Sequence, residues 1–201
     1  MIHQDNTMKL NTTFSTPHGM VWNHVSCFET LLKELKTETD SNIINQKAAL
    51  CLHLGILILE SFMNIYFRLL VEEDKYSQFK NRILSEIKNR KSIDYKLKKW
   101  PSLFFNKKLT FENGIGRDLM KMKEERNSIM HFNYTYETIH LDSVTVNGLA
   151  DTTFYHSLDY SKAQEYFQTS INAIKEILSF SGISEDKLPF LLQRWTSVII
   201  W

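Results

Sequence analysis

Apolar positions recur every three or four residues through GMVWNHVSCFETLLKELKTE, where Trp22, Val25, Phe28, Leu32 and Leu35 share one face. That spacing predicts an amphipathic first helix from residue 18 onward. Asp-Ser-Asn at 40–42 interrupts it and supplies a cap for a second helix over about 44–72, the most hydrophobic stretch of the chain. The next segment alternates lysines with aromatics. It predicts one helix through YSQFKNRILSEIKNR and a shorter one through SIDYKLKKW, ended by Pro101. LTFENGIGRD reads as a turn that opens a helix running to His131. After His131 the pattern changes period. Ile139 and Leu141, then Val144 and Val146, alternate with polar residues, and Asn147-Gly148 is a hairpin-turn pair. The slip in phase between the two runs predicts a bulge near Asp142. A helix beginning at Ser161 follows, with Tyr166, Phe167, Ile171, Ile174 and Leu178 on one face, until Gly182. Ser184 then caps a last helix ending WTSVIIW.

These elements add up to a mainly α protein: a helical bundle with one inserted β-hairpin at about 138–158. Residues 1–17 are expected to form a flexible segment, and 18–201 a single domain. The apolar run AALCLHLGILILESFMNIYFRLL is broken by His53, Glu60, Asn64 and Arg68, so it predicts a core helix rather than a membrane span. No secretory signal pattern precedes it, and a cytoplasmic location is expected.

Composition alters this picture at one place. The 201 residues carry a net charge of +1, yet Lys75–Lys108 holds eleven Lys/Arg against two acidic residues, leaving −8 for the rest. A local excess of that size points to a polyanionic partner. Lys96, Lys98, Lys99, Lys107 and Lys108 are the candidate RNA contacts. The interleaved Tyr76, Phe79, Tyr95, Trp100, Phe104 and Phe105 are candidates for base stacking or for the core. Cys27 and Cys51 lie among apolar residues and are expected to be buried thiols.

Motif chemistry narrows the function by exclusion. The chain has no Gly-x-x-x-x-Gly-Lys-Ser/Thr phosphate loop, no Gly-x-Gly-x-x-Gly, no His-Glu-x-x-His and no Gly-x-Ser-x-Gly elbow. No Cys/His set has zinc spacing, and neither metal nor cofactor is called for. One constellation remains, in MKMKEERNSIMHFNY. On an ideal helix Ile115, Leu119, Met122, Ile129 and Met130 form an apolar stripe, and Arg126 falls in its middle. Asn127 follows, and His131 comes one turn after that. Arginine is permanently charged and offers a fork of donors matched to phosphate. Histidine titrates near neutrality and can give or take a proton. Together they suit a phosphodiester whose own 2′-hydroxyl is the nucleophile. Arg126 and His131 point about 140° apart on one helix, so a second chain is one way to bring both onto one phosphate.

RNSIMHF, late in a helical chain and after a long apolar helix containing LESFMN, resembles the Arg-x(4–6)-His motif of the HEPN superfamily. The resemblance covers roughly residues 44–180. It implies an α-helical, usually dimeric domain, in many members a metal-independent endoribonuclease of toxin, antiphage or RNA-processing systems. It assigns Arg126 and His131 as the catalytic pair with Asn127 in support. It also implies RNA as substrate, a homodimer, and a neutralising protein partner. Inactive members serve as modules that bind RNA, nucleotide or protein, and that is the alternative. One toxin branch carries Tyr two residues after the His. Here that position is Asn133, so regulation through that tyrosine is not carried over.

Overall fold

The computed structural model describes residues 16–131, 137–149 and 151–198. Its helices are α1 (Gly19–Leu35), α2 (Ser41–Leu70), α3 (Lys80–Lys88), α4 (Ile93–Phe105), α5 (Gly114–His131), α6 (Thr153–His156), α7 (Tyr160–Ser179) and α8 (Leu188–Thr196). A 3-10 turn, Asp74–Phe79, precedes α3, and two strands, β1 (Glu137–Leu141) and β2 (Val144–Leu149), form an antiparallel hairpin. The protein is mainly α.

The thirty-residue α2 organises the bundle. Asp40 caps it, accepting from the backbone N–H groups of Asn42 (2.8 Å) and Ile43 (3.2 Å) and so satisfying donors with no partner inside the helix. Its apolar face packs against α1 and α7, and α4 and α5 lie along it. Gly55 is what lets the bundle close: a β-carbon there would stand 2.9 Å from Ser170 Oγ of α7 and 3.3 Å from Met122 Sδ of α5. By length and composition α2 would suffice to cross a membrane. Here it is the central helix of the core, with Leu52, Ile58, Leu59, Phe62, Met63 and Phe67 fully buried.

Burial also explains most of the basic segment. Trp100 and Phe104 are buried and pack with Phe67, and the buried Tyr76 packs with Phe104, so these aromatics belong to the core rather than to a stacking surface. Pro101 does not end α4 but lies inside it, buried. A mid-helix proline costs about 3 kcal/mol in an exposed helix. Packing of Trp100, Pro101 and Phe104 against the core offsets it, and the helix stops only at Asn106, in the left-handed region (φ 52°). Beneath α4, the Glu86 carboxylate accepts from Trp100 Nε1 (2.7 Å), the Tyr95 hydroxyl (2.8 Å) and Arg82 Nε (2.9 Å). Burial alone would raise its pKa, but these three donors outweigh that effect and hold it below the ordinary value. A lowered folded pKa means the group stabilises fully above its unfolded value of 4.5 and loses that contribution as pH falls through the folded one. Glu86→Gln is expected to cost about 1.5–3 kcal/mol at neutral pH, and to narrow the stability gap to wild type on acidification. Thermal melts at pH 7 and pH 4 measure both.

Several local expectations change. The hairpin turns at Asp142-Ser143, with Leu141 opposite Val144, and not at Asn147-Gly148, which falls in β2. The irregularity in register sits between Glu137 and Ile139 instead of at Asp142, where positive φ (27°) makes the turn. β-structure ends at Leu149. Residues 153–156 wind into the short α6, because His156 and the chain after it are drawn onto α2, where Asn45 Nδ2 donates to the carbonyls of Leu158 (2.8 Å) and His156 (3.3 Å). α7 is capped by Asp159, whose side chain accepts from the Lys162 N–H, and α8 begins at Leu188 rather than Ser184. Cys51 is buried, but Cys27 is exposed, on the solvent side of α1. The N-terminal residues 1–15, the run 132–136 that includes Asn133, and the last residues of WTSVIIW, 199–201, lie outside the described residues.

Candidate functional site

α5 is fixed at its start by close backbone packing. A β-carbon at Gly116 would lie 2.0 Å from the Thr110 carbonyl oxygen, so only glycine allows the incoming loop to fold against the first turn. From there Leu119 and Met122 are buried and Ile115 is half-buried, as the stripe requires. The stripe then opens. Arg126, Asn127 and Ile129 are half-buried, and Met130 is 52% exposed. The apolar face is therefore core for its first turns and reaches the surface where the motif begins.

Arg126 has no hydrogen bond or ion pair among the described residues, and neither has Asn127. Glu60, the acidic residue of α2, pairs with Lys96 (2.9 Å). His53 on α2 lies close enough to Arg126 to feel its charge. Burial lowers the pKa of this half-buried imidazole, and the positive charge of Arg126 lowers it further. It is therefore neutral at pH 7 and can accept a proton or a hydrogen bond. His131 closes α5 through its backbone, and its side chain lies outside what the structure describes. His140, on β1, is exposed, and its Nδ1 lies 3.1 Å from Thr145 Oγ1.

In the sequence His53 stands out only as one of the polar breaks in the apolar run of α2. A signal was available: Gln46, His53 and Glu60 recur at seven-residue spacing, a polar line along one side of α2. Beside that line runs a second one, Ile43, Leu50 and Leu57, again seven apart and all exposed.

The lysines divide. Lys98, Lys99, Lys107 and Lys108 are exposed, and Lys98 Nζ stands 5.1 Å above the Phe111 ring. Lys96 is corrected: its side chain is buried, with only 1% of the residue exposed, and its ammonium is held by Glu60. An ammonium so placed serves the α2–α4 contact and presents nothing to a ligand. Lys107 and Lys108 lie in the loop that enters α5 at Gly114, twelve residues before Arg126. At 1.5 Å per residue that is about 18 Å of helix. A strand touching both lysines and arginine must run along α5.

Comparison with known proteins leaves the site to be read on its own chemistry: no family model matches the chain, and no curated protein or solved structure matches it.

Proposed function

We propose that the protein is a metal-independent endoribonuclease of HEPN type, cytoplasmic and active as a homodimer against RNA. One observation carries the reading. An arginine with no partner among the described residues stands where a buried helical stripe reaches the surface, with a histidine five residues on and, on α2, a neutral histidine close enough to feel its charge. An unpaired guanidinium half-withdrawn from water is unfavourable unless an anion completes it. The RNA phosphate is that anion, and the exposed Lys98, Lys99, Lys107 and Lys108 extend the attraction along the strand.

In this mechanism the 2′-hydroxyl of the substrate attacks the adjacent phosphorus. A base takes the hydroxyl proton as the O–P bond forms. The 5′-oxygen leaves with a proton, and the product carries a 2′,3′-cyclic phosphate. His131 supplies general acid–base catalysis, and Arg126 stabilises the charge that accumulates on the phosphoryl oxygens. Asn127, one turn before His131, holds the imidazole or a phosphate oxygen. His53 is an added candidate for the base, since it is neutral at working pH. Its sign is fixed by the lowered pKa: the neutral form persists below pH 6.5, so a step that depends on His53 keeps its rate on mild acidification.

The test is purified protein with mixed RNA in excess chelator. Cleavage is expected to continue undiminished, and its complete loss on chelation would remove the metal-free mechanism. In a bacterial host the wild type is expected to slow growth and His131→Ala is not, as for a toxin whose natural neutralising partner is missing.

A further inference from the structure

Where the chain passes from α4 into α5, a cavity of about 220 Å³ lies between Lys98 of α4 and the loop residues Lys108, Phe111 and Glu112. Phe111 is half-buried, and Lys98 Nζ stands 5.1 Å above its ring. That face of the ring is therefore covered by an exposed lysine rather than by the core, and a lysine stem can swing aside.

Two cations and a carboxylate share this cavity without pairing. Lys98, Lys108 and Glu112 are all exposed, and none forms an ion pair or hydrogen bond among the described residues. Their neighbours are committed: Lys96 is held by Glu60, and Lys123 by Asp94. What the cavity offers is thus a pair of free cations, a flat aromatic face and a free acceptor. A nucleotide matches all three, with its phosphate on the lysines, its base on the ring and its base edge on the carboxylate.

Glu112 decides among the bases. An ionised carboxylate only accepts hydrogen bonds, and it accepts best from two parallel N–H groups. Guanine presents two adjacent donors on its pairing edge, the ring N1–H and the exocyclic amino group. Adenine and cytosine place a ring nitrogen lone pair beside their amino group, and that lone pair would face the carboxylate. Uracil has one N–H between two carbonyls. We propose that this cavity is a guanine subsite, with Phe111 stacking the base, Glu112 reading it, and Lys98 and Lys108 holding its phosphate. The proposal rests on the ribonuclease reading for the strand to which the guanine belongs. Arg126 lies about 18 Å of helix beyond Gly114, so the guanine stands at a fixed offset of several nucleotides from the cut bond.

The experiment titrates isotopically labelled full-length protein with each of the four nucleoside 5′-monophosphates, followed by NMR. Guanosine monophosphate is expected to give saturable shifts at Thr110, Phe111 and Glu112 and to bind roughly tenfold more tightly than the other three. Glu112→Gln is expected to erase that preference, because an amide offers one acceptor and one donor. Phe111→Ala should weaken all four about tenfold. Glu112 is exposed, so its variant keeps the test if Phe111→Ala does not fold. The inference is overturned by no saturable shift at millimolar ligand, by equal binding of the four nucleotides, or by inorganic phosphate binding as tightly as guanosine monophosphate. Retention of the guanine preference in Glu112→Gln overturns it equally. Binding is read without turnover, so the two readings fail separately. Guanine-selective binding by a protein that cuts no RNA supports the subsite and removes the ribonuclease, whereas RNA cleavage with no base preference in binding removes the subsite alone.

Discussion

Arg126→Ala is expected to lower the rate of RNA cleavage by roughly 10²–10³, and His131→Ala by roughly 10²–10⁴. Neither should lower thermal stability appreciably. The reason lies in what Arg126 lacks. It has no ion pair or hydrogen bond among the described residues, so its removal breaks no contact recorded there, and its half-buried position places it where an anion must supply the missing partner. A catalytic arginine differs here from a structural one such as Arg82, whose Nε is committed to Glu86 at 2.9 Å. Arg126→Lys should recover little, because a point charge does not reproduce the guanidinium fork. Asn127→Ala should cost less, about tenfold, as a supporting hydrogen bond does. His53→Ala separates its two possible roles. A fall in rate with an altered acid limb of the pH profile marks it as a base, and a fall in melting temperature with unchanged turnover marks it as packing. Single-turnover cleavage across pH 5–8 together with melting curves distinguishes these outcomes.

The second large effect concerns assembly. Ile43, Leu50 and Leu57 are 38%, 53% and 42% exposed along one line of α2, and Met130 of α5 is 52% exposed beside the motif. A seven-residue repeat of exposed apolar side chains is the pattern of a helix that packs against another helix. It borders the line carrying His53, whose neighbour is Arg126. In the proposed homodimer a two-fold axis along this face covers the leucines and lets the arginines of both protomers line one groove. His131 of one chain then works near Arg126 of the other, which removes the roughly 140° divergence within a single helix. Leu57→Asp is expected to convert the dimer to monomer. Withdrawing one leucine from the interface costs about 1.5–3 kcal/mol, and symmetry counts it twice, so the dissociation constant should rise roughly 10²–10⁴-fold. RNA cleavage should fall with dimer content. Sedimentation of the wild type as a monomer at high concentration, with cleavage retained, would contradict this arrangement.

Local signals in the sequence located the helices well where they were strong. Asp40 capped α2, Gly182 followed α7 in the left-handed region (φ 77°), and the three-and-four spacing named residues that are buried throughout α7 and at Val25, Phe28 and Leu35 of α1, whereas Trp22 is exposed and Leu32 half-buried. Errors arose where tertiary packing overrode local preference. Pro101 should have ended a helix in isolation, but the burial of its neighbours carried α4 four residues further. Asn147-Gly148 is the better turn dipeptide, yet pairing of Leu141 with Val144 placed the turn at Asp142-Ser143. Lys96 looked like one cation in a basic run, and nothing local distinguishes it from Lys98 or Lys99. Only the approach of α4 to Glu60 on α2 removes it from the surface. The same holds for the site. Arg126 was legible because it breaks an apolar stripe on its own helix. His53 was not singled out, because its relation to Arg126 exists only once α2 and α5 are packed together.

The central claim is that the α5 motif directs attack by the 2′-hydroxyl of RNA. Once a cleavage site has been mapped, two oligonucleotides are compared in excess chelator, one all-ribose and one with a single 2′-deoxy sugar at the cut position. The account predicts that the first is cut to leave a 2′,3′-cyclic phosphate and that the second stays intact. Cleavage of the 2′-deoxy substrate at the same bond would contradict it.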